Sequence, residues 1–574
     1  MTDFKIRAGQ YREQAKRFRK VLPPDSTKAR FSGTTSNQHT LDIDAGLNPY
    51  IGTFGEKELS HLIKRTHFGV TKQHLRSLSG KSLSEVLTSI IQSDPAPPPP
   101  VNDYNGAEDI SNDPEIPFGE TWIEAPFSDQ FEGLRNVSLK SWWLRQMMKQ
   151  PSTIHQKMIL FWHNMLPIQI WDVFIGKASY QYIEMLRRNA LGNFKTFIRE
   201  LTLDPAMLIF LNGAFNNQEA PDENYARELQ ELFCIGKGLG SAYTEQDVQS
   251  AAKVLTGWTL RWETIQGQGS PQSYFEPWLH DTTNKQFSAF YGNKLIEGKE
   301  GDSGAEELDE LLDMIFDNDE TAMHLARRLY SFFVYNSISE SAETNVITPL
   351  AEIIRANNFD ILPAITALLS SEHFFHPEII GAQIKNPVDF TLAYLRTLGI
   401  PMAPRDSTEA FQMQTGITWQ MAGIGMEIGD PPNVAGWPAY YQTPQFDKSW
   451  ITTDSITNRA VQTDSLIFWG FWIGEDETVT VDLLSFLETL DHPEDINLMI
   501  EEVSTLLLGL ELTQDQIDEI KGILLSGQQN DSYWNTAWIQ YQQNSADLQY
   551  ATILNNRIRP AFQLILQLGE SQLM

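Results

Sequence analysis

A single cysteine, Cys234, stands among 574 residues, which excludes an intrachain disulfide and any cysteine-built structural zinc site. The thiol follows Phe233 on the apolar side of an expected helix, where a free cysteine packs as a small apolar group. Long apolar runs are also missing. No eighteen consecutive residues are apolar, so no membrane-spanning helix is expected. Basic residues are scarce, with 43 Lys and Arg against 74 Asp and Glu and a net charge of −31. Phosphate contacts need clustered cations, so a nucleic-acid partner is not expected. An acidic surface serves solubility and is compatible with a divalent cation or a basic protein. The first thirty residues are basic but hold no apolar h-region, so no secretory signal is read there and the cytoplasm is the default expectation. The chain shows no repeat of fixed period.

What is present is helical periodicity and, in one place, a dense polar pattern. In the stretch Asp222 to Trp258, Tyr225, Leu229, Leu232 and Phe233 recur at i, i+4, i+7 and i+8, the stripe that an amphipathic helix buries. Asn224, Glu228 and Glu231 recur at i, i+4 and i+7 on another side, with Arg227 beside them and four residues after Glu223. Gly236, Gly238 and Gly240 end this helix, and Thr244 caps the next, which has acidic residues in its first turn. The polar face admits two readings. One is a solvated Glu223–Arg227–Glu231 ladder. The other is a carboxylate and amide cluster lining a cleft, suited to metal binding or acid–base work.

Elsewhere the periodicity predicts helices through most of the chain. Their starts are marked by capping residues and by proline at permitted first-turn positions, as in Asp204-Pro205 and Asn386-Pro387. Ser93–Pro100, SDPAPPPP, reads as a stiff polyproline spacer. Between Trp258 and Leu295 the helical period gives way to aromatic residues alternating with polar ones, which predicts short strands or an irregular excursion with His280-Asp281 in its middle. Gly423–Pro438, GIGMEIGDPPNVAGWP, is too rich in Gly and Pro for a regular element and is expected to be an ordered loop. It lacks the Gly-Lys-Ser/Thr ending of a phosphate-binding loop. Trp437 packs this loop back onto the body in that reading.

The fragments NYAREL-ELF-IG, YTE-DV and AA-LTGW occur in order within residues 224–258. Others accompany them: HLIKRTHFG at 61–69, WWLRQMM at 142–148, KMILFWHN at 157–164, DPAMLIFLNG at 204–213, KNP at 385–387 and PPNVAGWP at 431–438. In this order they resemble the signature of the bacterial DUF1800 family. The resemblance runs from about residue 57 to the C-terminus, and implies a fold and a set of positions but no reaction. It implies that relatives are often exported, and that a companion from a second family with an alkaline-phosphatase-like fold is a candidate partner. Where relatives commonly carry a further His and Phe after the His-Asn pair, this chain has Met165-Leu166, which weakens a two-histidine metal site around His163.

The expected fold is mainly α, one large multi-helix domain with a short irregular or β aromatic insertion. Residues 1–56 are read as a basic arm and linker. Residues 57–470 form the main helical domain, with the Pro-rich spacer at 93–117 and the insertion at 259–300. Residues 471–574 are a C-terminal helical segment of the same domain. For function two readings stand. In the first, a metal- or carboxylate-dependent hydrolase acts on a polysaccharide or peptide. Glu228, Glu231, Arg227 and His163 are its candidate catalytic residues, and Asn224, His280, Asp281 and Trp437 its candidate binding residues. A divalent metal is the candidate cofactor, with Glu228, Glu231, His163 and His280 as candidate ligands. In the second, a non-catalytic assembly or scaffold protein binds a protein partner.

Overall fold

The computed structural model describes residues 41–107, 110–238, 240–402, 407–443, 445–474, 477–545 and 547–574. Most of the expected basic arm, residues 1–40, lies outside the described residues. Among the described residues helices dominate, and the strands form three two-stranded antiparallel ribbons. Trp258–Leu260 pairs with Ser273–Phe275, Lys285–Gln286 with Leu295–Ile296, and Phe471–Gly474 with Glu477–Val479. The first two ribbons form the aromatic excursion that the loss of helical period predicts.

Capping chemistry sets many helix starts. The Asp204 side chain accepts from the Met207 N–H, Asn386 from Asp389 and Thr244 from Asp247, each leaving one fewer unsatisfied N–H at a helix start. One continuous apolar core runs from Ile43 to Leu566. It joins the helices of the expected main domain to those beyond residue 480.

Buried cations reinforce that join. Lys64 Nζ, on the Glu56–Thr66 helix, donates to the carbonyls of Thr505 (2.7 Å) and Leu508 at the end of the Ile496–Leu507 helix. Lys385 Nζ donates to Leu507 O and to Ser571 O, at 3.1 and 2.8 Å. Arg459 donates to Gln572 Oε1 and to the Lys385 carbonyl. Helix ends leave carbonyls without intrahelical donors, and ammonium groups near a C-terminus satisfy them.

The proline-rich stretch, read as a stiff spacer, carries no regular element over residues 92–100 and lies against the Glu132–Met148 helix. Trp142 Nε1 donates to Pro98 O at 2.8 Å, and Arg135 bonds Asp113 and Glu132 with all three side chains buried. The polar helix is not the single α-helix expected. Asn224–Glu228 is α-helical, but Leu229–Cys234 widens into a π-helical turn. The N–H of Ile235 and that of Gly236 both reach Gln230 O. The fully buried Gln230 side chain pins the turn, donating to Ala226 O and accepting from Tyr291 Oη. Gly236 follows at φ +86°, where a Cβ would lie 2.4 Å from His324 Nδ1; only glycine fits both constraints.

Candidate functional site

The extra residue in the π-helical turn rotates everything beyond it, and this breaks the expected Glu223–Arg227–Glu231 ladder. Arg227 bonds Glu223 at 2.8 Å and reaches across to Glu245 on the next helix at 2.7 and 2.8 Å. Glu231 turns instead to Lys237, with Tyr243 Oη at 3.5 Å from its other oxygen. Asn224 is exposed and Glu228 half-buried. One Glu228 oxygen, Oε2, is closed off from the surface without a hydrogen-bond partner among the described residues. Burial raises the Glu228 carboxyl above the usual range, while Lys237 and Arg227 pull against it. This end of the stretch is open to solvent on one side and carries two carboxylates of different character.

His163 lies elsewhere. It is fully buried near the end of the His155–Met165 helix, enclosed edge-to-face by Trp143 and Trp437 with ring centroids 5.1 and 5.6 Å away. Nδ1 sits 3.2 Å from Tyr182 Oη, and that hydroxyl donates to Leu166 O. With that proton spent on Leu166, the phenol oxygen can only accept, so Nδ1 carries the ring proton and donates, while Nε2 has no hydrogen-bond partner among the described residues. Burial, helped by Lys140, pushes the imidazole pKa down to about 3, so the ring is neutral.

Trp437, also buried, belongs to the loop that the sequence marks as ordered. Its N–H donates to Asn164 Oδ1 at 3.1 Å. Gly436 at φ +85° lets the loop backbone run so close to Asn164 that a Cβ would lie 2.2 Å from Asn164 O. The other end of the loop is held by Asp430, fully buried, which accepts from the Trp171 N–H and from Lys140 Nζ at 2.6 Å. The sequence signatures around Asn164 and Pro431–Pro438 therefore meet as packing partners.

His280 occupies a third place. Nδ1 is 2.9 Å from Thr256 O, and Nε2 is 3.1 Å from Glu307 Oε1, close but poorly aligned for a hydrogen bond. Both ring nitrogens thus face oxygens of neighbouring residues. Glu307 also accepts from Lys285 Nζ at 2.6 Å and from the Lys299 N–H at 2.7 Å. His280, Lys285 and Glu307 are all buried to within 1%. Burial by itself would raise the Glu307 carboxyl, but His280, Lys285 and the Lys299 amide hold it below the usual range. Asp281 closes the local turn, accepting from the Thr283 N–H at 2.8 Å and from the Thr283 hydroxyl.

The structure thus brings Glu228, Glu231 and Arg227 to one helix, and pairs His163 with Trp437 and His280 with Asp281 in two other surroundings. It does not join the two histidines to the carboxylates at one cleft floor. Among the described residues no three His, Cys, Asp or Glu side chains gather closely enough to hold a metal ion. Several partners escaped the sequence reading. Tyr182 for His163, Lys237 for Glu231, Glu245 for Arg227 and Glu307 with Lys285 for His280 carry no local signature, because each is set by tertiary contact. Gln230 had one: an amide on the apolar side of an amphipathic helix must find internal partners.

A family profile described as "Protein of unknown function (DUF1800)" matches residues 61–572. No curated protein and no solved structure matches the chain. No helix among the described residues is long and apolar enough to cross a membrane.

Proposed function

The chain belongs to the DUF1800 family, and from that footing we propose that it is a non-catalytic scaffold that binds a protein partner. The observation that carries this reading is where the polar groups of the family's signatures go. Lys157 pairs with Asp389 inside the core, Asn386 donates to Asp389 and Tyr440, and Arg65 bonds Gln383 and the Val334 carbonyl. Lys385 holds the C-terminal carbonyls, and Asn164 holds the Trp437 loop. These groups are committed to internal ties, which give a rigid body rather than a set of reactive side chains converging on one point. An alkaline-phosphatase-like protein is the partner class that the family resemblance implies. The test mixes the two purified proteins and measures mass by light scattering across a chromatographic peak. A defined complex at micromolar concentration is expected, and its absence at about 100 μM, a Kd weaker than any stable assembly uses, overturns the reading.

One observation favours the hydrolase reading. Glu228, with a raised carboxyl and one oxygen lacking a protein partner, neighbours Glu231 at a π-helical turn, and such turns recur at functional sites. A half-buried carboxyl raised above the usual range, beside a second carboxylate paired with Lys237, suits acid–base hydrolysis of a polysaccharide or peptide bond. A divalent metal, if used, would have to be held by these two carboxylates together with substrate or solvent oxygens. Hydrolysis of a glycan or peptide panel that disappears in Glu228→Gln, with elemental analysis of both proteins, supports this reading. Equal activity in the variant removes it.

A further inference from the structure

Basic side chains are scarce in this chain, 43 against 74 acidic ones, yet three of them line one cleft. It lies between the start of the Glu56–Thr66 helix, the Lys72–Leu78 helix with the turn after it, and Asp491. Its volume is about 160 Å³, close to that of a cavity that takes up benzene. Lys72, Leu75, Arg76 and Ser79 recur at i, i+3, i+4 and i+7, one face of a helix, and all four line it. Leu59, Leu75 and Leu78, each at most 4% exposed, make an apolar floor. Phe54 forms a half-buried wall, held edge-on against Phe375 with ring centroids 5.9 Å apart. The mouth is at Ser79, Gly80 and Lys81, which are exposed.

Around that floor the donors outnumber the acceptors. Lys72 is 7% exposed, and its Nζ meets Asp491 Oδ2 at 2.7 Å and Glu502 Oε2 at 2.9 Å. An ammonium has three N–H groups, so one is left over. Arg76 reaches Asp491 Oδ1 through Nε at 3.2 Å and again through Nη2, which leaves Nη1 without a partner among the described residues. Lys81 forms no ion pair among them. Asp491 is thus shared between two cations and is itself 48% exposed. Glu56, exposed, is the other carboxylate of the lining.

We propose that this cleft binds a small amphipathic carboxylate, a benzene-sized apolar group joined to a carboxylate. The apolar group covers the three leucines, and the carboxylate takes the spare donors of Lys72, Arg76 and Lys81. Asp491 competes with the ligand for Lys72 and Arg76. The cleft shares no residue with the internal ties of the scaffold reading or with the Glu228–Glu231 pair, so the proposal stands apart from both.

The test is calorimetric titration of the full-length protein with 3-phenylpropionate. Two further probes accompany it: 3-phenylpropylamine, with the same apolar group and the opposite charge, and acetate, with the charge and no apolar group. Saturable binding of 3-phenylpropionate is expected, at least about tenfold tighter than either control. Arg76→Gln and Lys81→Gln are each expected to weaken it about tenfold, as loss of a hydrogen bond to a charged group requires, and Ser79→Trp to block the mouth. Asp491→Asn is expected to tighten binding several-fold, because it removes the competing carboxylate; a purely structural Asp491 would not do so. All four positions are exposed, so each variant is expected to keep the unfolding temperature of the wild type. No saturable binding of 3-phenylpropionate up to about 20 mM overturns the proposal. Equal binding of either control, binding unchanged in the first three variants, or weaker binding in Asp491→Asn does the same.

Discussion

Two regions of this molecule carry acidic and basic side chains drawn from the same sequence signatures, and they differ in what surrounds the charges. Around Lys157 and Asp389 both side chains are at most 4% exposed, and the ammonium also lies 4.9 Å over the Phe68 ring. Around Arg227 and Glu231 the charges pair just as closely but at the surface, with Lys237 67% and Glu245 71% exposed. In the first region neither partner has water to fall back on, so the pair is a structural commitment. In the second, water competes with each contact, and the side chains stay free to change partners.

Breaking the buried pair is the strongest challenge to this contrast. Asp389→Asn removes the counter-charge of Lys157 and is expected to cost about 3–5 kcal/mol in urea unfolding; a loss under about 1 kcal/mol would dissolve the distinction between the regions. Glu307→Gln comes next, at about 2–3 kcal/mol, because Lys285 keeps the Asp281 carbonyl as a second partner. Glu307 is held below its unfolded pKa, so its contribution is complete above pH 4.5 and is lost as pH falls through the lower folded value. Unfolding measured from pH 7 downward is expected to show that acid-limb loss in wild type and a reduced one in the variant.

His163 sharpens the contrast through pH alone. Its folded pKa of about 3 lies below the unfolded value of 6.5, so the unfolded chain binds a proton that the folded chain refuses. Between those two values stability falls with acidification by about 1.4 kcal/mol per pH unit for this one ring. His163→Gln is expected to flatten the slope of unfolding free energy against pH between 6 and 4 by that amount. An unchanged slope would mean that the ring is not neutral in the folded protein. The smallest effect belongs to the exposed region. Arg227→Ala is expected to leave the urea midpoint unmoved, because its partners on both sides are solvent-screened. A clear destabilisation there would show that the surface pairs act as a network.

The helical frame was legible because it rests on short-range physics. A capping side chain acts within three residues, and an apolar stripe repeats every three or four, so Thr244, Asp204 and Asn386 mark helix starts without knowledge of the rest of the chain. The aromatic excursion was legible for the same reason, as a loss of that period. The candidate site was legible only in part. Asn224, Arg227, Glu228 and Glu231 do share a helix, but the widened turn held by Gln230 and Tyr291 redirects Glu231 to Lys237. A partner 61 residues away has no effect on periodicity.

By itself, then, the sequence determined the fold class, the family, the ordered loop at Gly423–Pro438 and the burial of Cys234, which is fully enclosed with its thiol pushed well up by burial. Each follows from residue type and local spacing. Only the tertiary structure decided which charges are paired and which are not. Arg327 and Arg328 are adjacent, identical side chains in one helix, yet one meets two carboxylates and the other makes no ion pair among the described residues. They point to different neighbours because consecutive residues on a helix lie about 100° apart, and those neighbours come from distant parts of the chain.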